Sequence, residues 1–260
     1  NGCINTTSTN IVVNNLPTIT SNTATICYGT TTTLTAIGAT NYTWSPSATL
    51  SSSVTASVSA NPTITTNYTV TGIDANGCVN TTSTNIVVNN LPIVTSNTAT
   101  ICFGNTTTLT AVGATNYTWS PSATLSSSVT ASVSANPTIS STYSIIGVDA
   151  NGCINTTSTN IVVNNLPTVT STSATICYGN SGTLTASGAL TYTWSPNTAL
   201  SSSVSANVTA NPTLTTIYNV IGTDANGCTN TSTSTVNVIP EPSVLASASP
   251  TSICSGYSTT

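Results

Sequence analysis

Eight cysteines are the residues of this chain with the most chemistry open to them, and they fall into two series. Cys3, Cys78, Cys153 and Cys228 each follow an Asn-Gly pair at a constant step of 75, as 78 − 3 and 153 − 78 show. Cys27, Cys102 and Cys177 keep the same step, and Cys254 follows 77 residues later. An even number of regularly spaced cysteines in a chain read as secreted points to oxidation into disulfides. The competing use of thiols is zinc, which calls for Cys-x-x-Cys spacing or histidine partners. The chain has neither, so no metal site and no cofactor are expected.

Other chemistry is thinly provided. There is no Lys, Arg or His, and the acids are Asp74, Asp149, Asp224 and Glu241. General acid–base catalysis needs a group that titrates near neutrality, and a serine or threonine without an activating base is a poor nucleophile. No catalytic residue is expected, and the chain is not read as an enzyme. Asp74-Ala75-Asn76-Gly77 partly matches the opening of a calcium loop but lacks the later carboxylates. An aspartate at the start of a turn ordinarily binds its own backbone instead. Asn-x-Ser/Thr occurs at Asn5, Asn41, Asn67, Asn80, Asn105, Asn116, Asn155, Asn207 and Asn230. These are candidate glycosylation sites. Charge is the usual protection of sheet edges, and covalent glycans on Asn, Ser or Thr would replace it here.

The elements that must carry these groups repeat with them. Residues 1–75 and 76–150 differ at 13 positions, and Gly38–Thr63 recurs unchanged as Gly113–Thr138. A fixed period of this kind marks a tandem array. Asn14-Asn15-Leu16-Pro17 recurs at 89–92 and 164–167. Proline cannot donate to a ladder, so each Pro is a natural boundary. The expected modules are 17–91, 92–166 and 167–241. Residues 1–16 read as the last strand of a preceding module and 242–260 as the start of a following one. The sequence starts and stops inside a repeat, so an excerpt of a longer secreted chain is expected.

Charged residues make up 2% of the sequence, against about 25% in ordinary soluble domains. Without Lys or Arg there is no counterion-releasing contact to nucleic acid and no attraction to an anionic membrane surface. No apolar run reaches 18 residues, so no membrane insertion is expected in this segment. Alternating Val, Ile and Thr favour strands over disorder. Within module 17–91 the expected strands are 18–26, 31–37, 42–44, one or two within 50–60, 67–73 and 79–88, with a hairpin turn at 74–77. The three tryptophans, Trp44, Trp119 and Trp194, fall one to a module, each two residues after a tyrosine on the same strand face. Each indole is expected to centre its own core, with Tyr68, Tyr143 and Tyr218 packed into it.

A Trp on the third strand and a Tyr early in the penultimate strand resemble the immunoglobulin-like sandwich. Ile-Cys-x-Gly, Thr-Leu-Thr-Ala, Tyr-Thr-Trp-Ser-Pro and Asp-Ala-Asn-Gly-Cys together resemble the tandem PKD/Ig-like repeats of large type IX-secreted bacterial surface adhesins and filaments. The resemblance covers nearly the whole chain and departs from that family in its near-total loss of charge. It implies an all-β fold of tandem immunoglobulin-like β-sandwich modules with a 75-residue period. It also bears on the bridges. Pairing within a module would join Cys27–Cys78, Cys102–Cys153 and Cys177–Cys228. Sandwich topology sets those partners at opposite poles, about 23 Å apart, and stacked modules would instead bring Cys27 to Cys153 and Cys102 to Cys228. A third scheme starts with Cys78–Cys102. The first two stand level on the sequence.

The function implied is structural: the repeat region of an extracellular fibre or cell-surface stalk, glycan-coated, with very short linkers that favour a semi-rigid rod. Its partners are neighbouring modules or copies of itself. The alternative is an adhesin that binds environmental or host glycans. Spare aromatics for such binding are Tyr28, Phe103, Tyr178 and Tyr257, each near a cysteine and expected to cover the bridge.

Overall fold

The computed structural model of the protein describes residues 2–247, 252 and 254–256. Tyr257 lies outside the described residues. Among the described residues every regular element is a β-strand, seven to each of three repeated sheet pairs. By its internal contacts the chain divides into two compact units. One is Asn1–Ala99 with Thr107–Ala135 and Thr142–Asn160; the other is Thr100–Thr106 with Asn136–Ser141 and Ile161–Thr260. Residues 17–91 lie wholly in the first unit and residues 167–241 wholly in the second.

In module 17–91 the strands are β1 (Thr20–Ser21), β2 (Ala24–Cys27), β3 (Thr32–Ile37), β4 (Asn41–Ser45), β5 (Ser57–Ala60), β6 (Thr66–Ile73) and β7 (Val79–Asn89). They form a three-stranded sheet, β1-β3-β5, and a four-stranded sheet, β2-β7-β6-β4. All neighbours are antiparallel except β2 and β7, which run parallel. The other two repeats have the same sheet orders. Two sheets sharing a core, with the penultimate strand between the last strand and the Trp strand, are the arrangement of an immunoglobulin-like sandwich.

The expected first strand, 18–26, is two strands in different sheets. Asn22 accounts for the break. Its Nδ2 donates to the Thr33 carbonyl at 3.0 Å and its Oδ1 accepts from the Thr35 amide at 2.7 Å. The side chain thus takes up ladder positions on β3, and the main chain is free to cross from one sheet to the other. Asn97 does the same in the next repeat with Thr108 and Thr110. This split makes the Trp strand the fourth of its module and not the third.

The Ser-rich stretch 50–60 is a strand only over its last four residues, apart from an isolated bridge between Leu50 and Ala60. Its middle has other work. The Ser53 carbonyl accepts from the Trp44 amide, Thr55 from the indole Nε1 and Ala56 from the Ala36 amide. Those carbonyls bind the core's largest side chain and the ends of two strands, which a regular ladder could not do together.

Alternation decides the interior. On β4, Tyr42 and Trp44 point inward between exposed neighbours; on β6, Tyr68 and Val70 do so. Trp44 is 1% exposed and packs with Leu34, Ala36, Val58, Tyr68, Val70 and Ile86. Trp194 sits in a separate core with Leu184, Val208, Tyr218 and Val236. Trp119 and Tyr143 are equally buried in their own repeat. The buried tyrosine hydroxyls find partners: Tyr68 meets the Thr49 hydroxyl at 2.6 Å and Tyr218 donates to the Thr198 carbonyl at 3.2 Å. Burial pushes the Tyr218 phenol above its ordinary pKa, so it stays a neutral donor.

Gly38 has φ +105°, and a Cβ there would run into the Thr18 carbonyl. Gly38→Ala is therefore expected to cost module 17–91 more than the ~1–3 kcal/mol of the backbone strain alone. Denaturant titration of the full chain should show an earlier transition confined to one module, whereas alanine at open Gly29 should cost less.

Residues 2–16 form no strand, although 3–17 repeats the sequence of 153–167 residue for residue and Ile154–Asn164 is an 11-residue strand. The reason is the absence of neighbours. The strand Val79–Asn89 lies between β6 and β2, whereas among the described residues no strand pairs with residues 4–14. Without such neighbours Ile11 is 84% exposed, whereas its equivalent Ile161 is fully buried.

Candidate functional site

The site is the junction between one module and the next. Cys27 ends β2, where it pairs in register with Asn89 at the end of β7. The next residue continues the clasp, with the Tyr28 amide donating to the Asn89 carbonyl at 2.8 Å. Asn89 is also the first residue of the linker to Pro92. One cysteine is therefore fixed beside the point where the chain leaves its module.

The other cysteine is fixed by a turn at the opposite end of the last strand. In Asp149-Ala150-Asn151-Gly152-Cys153 the aspartate Oδ1 accepts from the Asn151 amide at 2.8 Å and from the Cys153 amide at 2.9 Å. The Asp149 amide donates in turn to the Cys153 carbonyl at 3.0 Å. Gly152 takes φ +79°, which closes the turn. Asp74 and Asp224 hold Cys78 and Cys228 in the same way. The aspartate that partly matched a calcium loop thus has its Oδ1 occupied by backbone donors, and it positions the cysteine.

These placements set the pairing. Cys27 lies level with Asn89 and Cys78 just before Val79, so the length of β7 separates them. Eleven steps of strand are about 36 Å, far beyond the ~5.5 Å that a disulfide spans between Cα atoms. A bridge within the module is closed off by its own last strand. The structure has Cys27 bonded to Cys153 and Cys102 bonded to Cys228, each with a Cα–Cα distance of 5.5 Å and a sequence separation of 126. Each bridge joins one sheet pair to the next, and each lies within a single compact unit. Cys153 and Cys228 are fully buried in their bridges. Cys3, Cys78, Cys177 and Cys254 are free.

A second contact holds the proline with which the chain enters each sheet pair. Asn155, two residues after Cys153, donates its Nδ2 to the carbonyl of the linker residue Pro92 at 2.9 Å. Asn80 and Asn230 do the same to Pro17 and Pro167, at 2.8 and 3.0 Å. These three asparagines are half-buried, and the nitrogen that would carry a sugar is already a donor. Asn5, Asn41, Asn67, Asn105, Asn116 and Asn207 are exposed. The nine sequence candidates thus divide into junction residues and surface residues. An Asn two places after Cys marks Asn80, Asn155 and Asn230 in the sequence, but it also marks exposed Asn5.

Tyr28, Phe103 and Tyr178 are roughly half exposed beside their cysteines. Tyr178 with Leu214, Val238 and Pro240 lines an open groove of about 590 Å³. Among the described residues no group of three or more Cys, Asp or Glu is placed to hold a metal ion, and no helix is long and apolar enough to cross a membrane.

Removing the aspartate acceptor should loosen the half-joint. Asp149→Ala loses two backbone hydrogen bonds to a charged acceptor, on the order of 2 kcal/mol. The ratio of bridged to open Cys27–Cys153 in a glutathione buffer is expected to fall about tenfold or more. Asp149→Asn, which keeps an acceptor oxygen, should lie between.

No protein-family model matches the chain, and no curated protein matches it. Solved structures similar to it include the N-terminal eight Ig domains of Down syndrome cell adhesion molecule, at 14% identity and a TM-score of 0.44. That alignment covers 86% of this chain and 37% of the other. Mouse cadherin-23 EC22-24 aligns at 16% identity and a TM-score of 0.33, over 88% of this chain and all of that one. Sidekick-1 immunoglobulin domains 1-5 align at 15% identity and a TM-score of 0.31, over 86% and 59%. The chain thus spans little more than a third of the first of these.

Proposed function

We propose that the chain is the structural repeat region of an extracellular fibre or cell-surface stalk, in which modules 17–91, 92–166 and 167–241 are spliced to one another by disulfides. The observation that carries this reading is that both bridges cross a module boundary. A bridge inside a domain stabilises that domain, whereas a bridge between domains resists their separation. Each bridged junction has two connections in parallel, the peptide linker and the disulfide, and the Asn-to-Pro hydrogen bond anchors the linker's last residue to the module it enters. Residues 1–16 serve, in this reading, as the last strand of a preceding module, and 242–260 as the beginning of a following one.

Immunolabelling of native material from the source organism tests the function. Label along extracellular filaments or stalks is expected. Label found only on a freely soluble secreted monomer would remove the reading.

The surface of such a fibre needs a substitute for charge, and covalent glycans on exposed Asn, Ser or Thr supply it. Sugar is expected on Asn41, Asn67, Asn105, Asn116 and Asn207, and none on Asn80, Asn155 or Asn230. Glycopeptide mapping of native material reads this directly. A native mass equal to that of the bare polypeptide would exclude glycans altogether.

The adhesive alternative draws on the Tyr178 groove, because sugars stack on half-exposed aromatic rings. Loss of glycan binding in Tyr178→Ala, with the fold intact, would favour it over a passive fibre.

A further inference from the structure

Cys78 and Cys177 are free, yet each is the repeat-equivalent of a bonded residue. Cys177 ends the strand Ala174–Cys177 and pairs in parallel register with Ile239, as Cys27 does with Asn89. The Tyr178 amide donates to the Ile239 carbonyl at 2.9 Å, matching Tyr28 and Asn89. Cys78 follows the same aspartate turn as Cys153, with its amide 2.8 Å from Asp74 Oδ1. Both free thiols therefore stand on main chain already in the bonded conformation, and both are at least partly exposed.

We propose that Cys78 and Cys177 are the two complementary open halves of the junction bridge, through which this chain is joined covalently to further modules. Cys177 takes a cysteine that follows an Asp-Ala-Asn-Gly turn. Cys78 takes a cysteine that ends an Ala-Thr-Ile-Cys strand. One copy of the chain carries both halves, so a second copy supplies the required chemistry, and so does any further module of the same sequence in a longer array. The proposal deepens the reading of the junction as a splice and rests on it. Little order has to be created on bonding, which favours the reaction.

The step is thiol–disulfide exchange with a small-molecule disulfide as oxidant. The Cys177 thiolate attacks one sulfur of glutathione disulfide, and one glutathione thiolate leaves. The Cys78 thiolate of the other module attacks the Cys177 sulfur of this mixed disulfide, and the second glutathione leaves. Two protein thiols become one bridge, one glutathione disulfide becomes two glutathione thiols, and the two protons pass to those thiols.

The test uses the full chain with Cys3→Ser and Cys254→Ser, in a glutathione redox buffer. A ladder of covalent oligomers that collapses on reduction is expected, with the free thiol count falling from two per chain towards zero. Adding Cys78→Ser or Cys177→Ser should leave each chain monomeric alone. Mixing those two variants should give a dimer and nothing larger. The bridging peptide, released by chymotrypsin because the chain lacks Lys and Arg, should join Cys177 to Cys78. A second arm replaces residues 242–260 with a further copy of residues 167–241, which puts a turn cysteine 126 residues beyond Cys177. A bond inside that chain identifies the longer array as the source, and a persistent ladder through Cys177 identifies the second copy.

Thiols at 78 and 177 that stay reactive in both arms would overturn the proposal, as would Cys78–Cys78 or Cys177–Cys177 pairs. If Cys27–Cys153 and Cys102–Cys228 form while these two stay free, the splice stands and the open joint falls. If Cys27–Cys153 and Cys102–Cys228 also fail to form, both readings fall.

Discussion

Alanine at Trp44 is expected to remove about 3–5 kcal/mol from module 17–91, the range for deleting a buried aromatic side chain. The indole is 1% exposed, its Nε1 donates to the Thr55 carbonyl at 2.9 Å, and it fills the space between the two sheets. A 75-residue sandwich has only about 4–11 kcal/mol to lose at 0.05–0.15 kcal/mol per residue. The module should therefore unfold at far lower denaturant, while Trp119 and Trp194 remain as fluorescent reporters of the other repeats. Trp44→Phe should cost less, because most of the volume stays and mainly the hydrogen bond is lost. A single shared transition that moves as one in the alanine variant would mean that the modules do not fold as separate cores.

Cutting one junction bridge is the second large effect. The paired change Cys27→Ser with Cys153→Ser opens a loop with a sequence separation of 126. The chain-entropy account gives about 5 kcal/mol for a loop of that length. Cys102–Cys228 closes a second loop that overlaps the first between residues 102 and 153, so the two losses should not simply add. Serine at Cys78 and Cys177 should leave unfolding of the isolated chain within about 0.5 kcal/mol, since neither is bonded there. Equal loss from all four positions would indicate packing by the sulfur atoms and not bridging.

Much of the fold could be read along the chain because the signals are local. Tyr42 and Trp44 alternate with Asn41, Thr43 and Ser45, and that pattern alone gives a half-buried strand. The Asp-Ala-Asn-Gly turns gave the hairpins, and the 75-residue period gave the repetition of the sheet pair. What escaped depended on partners distant in sequence. Asn22 reads as one more polar residue in a strand, and its two bonds to Thr33 and Thr35 exist only once β3 lies beside it. Thr55 reads as part of an alternating strand, but its carbonyl is claimed by an indole. Asn155 fits a glycosylation motif, yet its nitrogen is held by a carbonyl 63 residues earlier. The bridges lay between these extremes. The cysteines pointed to disulfides at once, but the choice of partner turns on which end of β7 each one occupies.

Single-molecule stretching tests the splice most directly, on a chain that keeps Cys27 and Cys153 and has Ser at the other six cysteine positions. With the bridge closed, 26 residue steps lead to Cys27 and 107 run from Cys153 to residue 260, leaving 133 in the load path out of 259. At ~3.5 Å per step the fully extended length should be about 470 Å under oxidising conditions and about 900 Å after reduction. An oxidised chain that extends to about 900 Å would show that no bridge spans the module boundary.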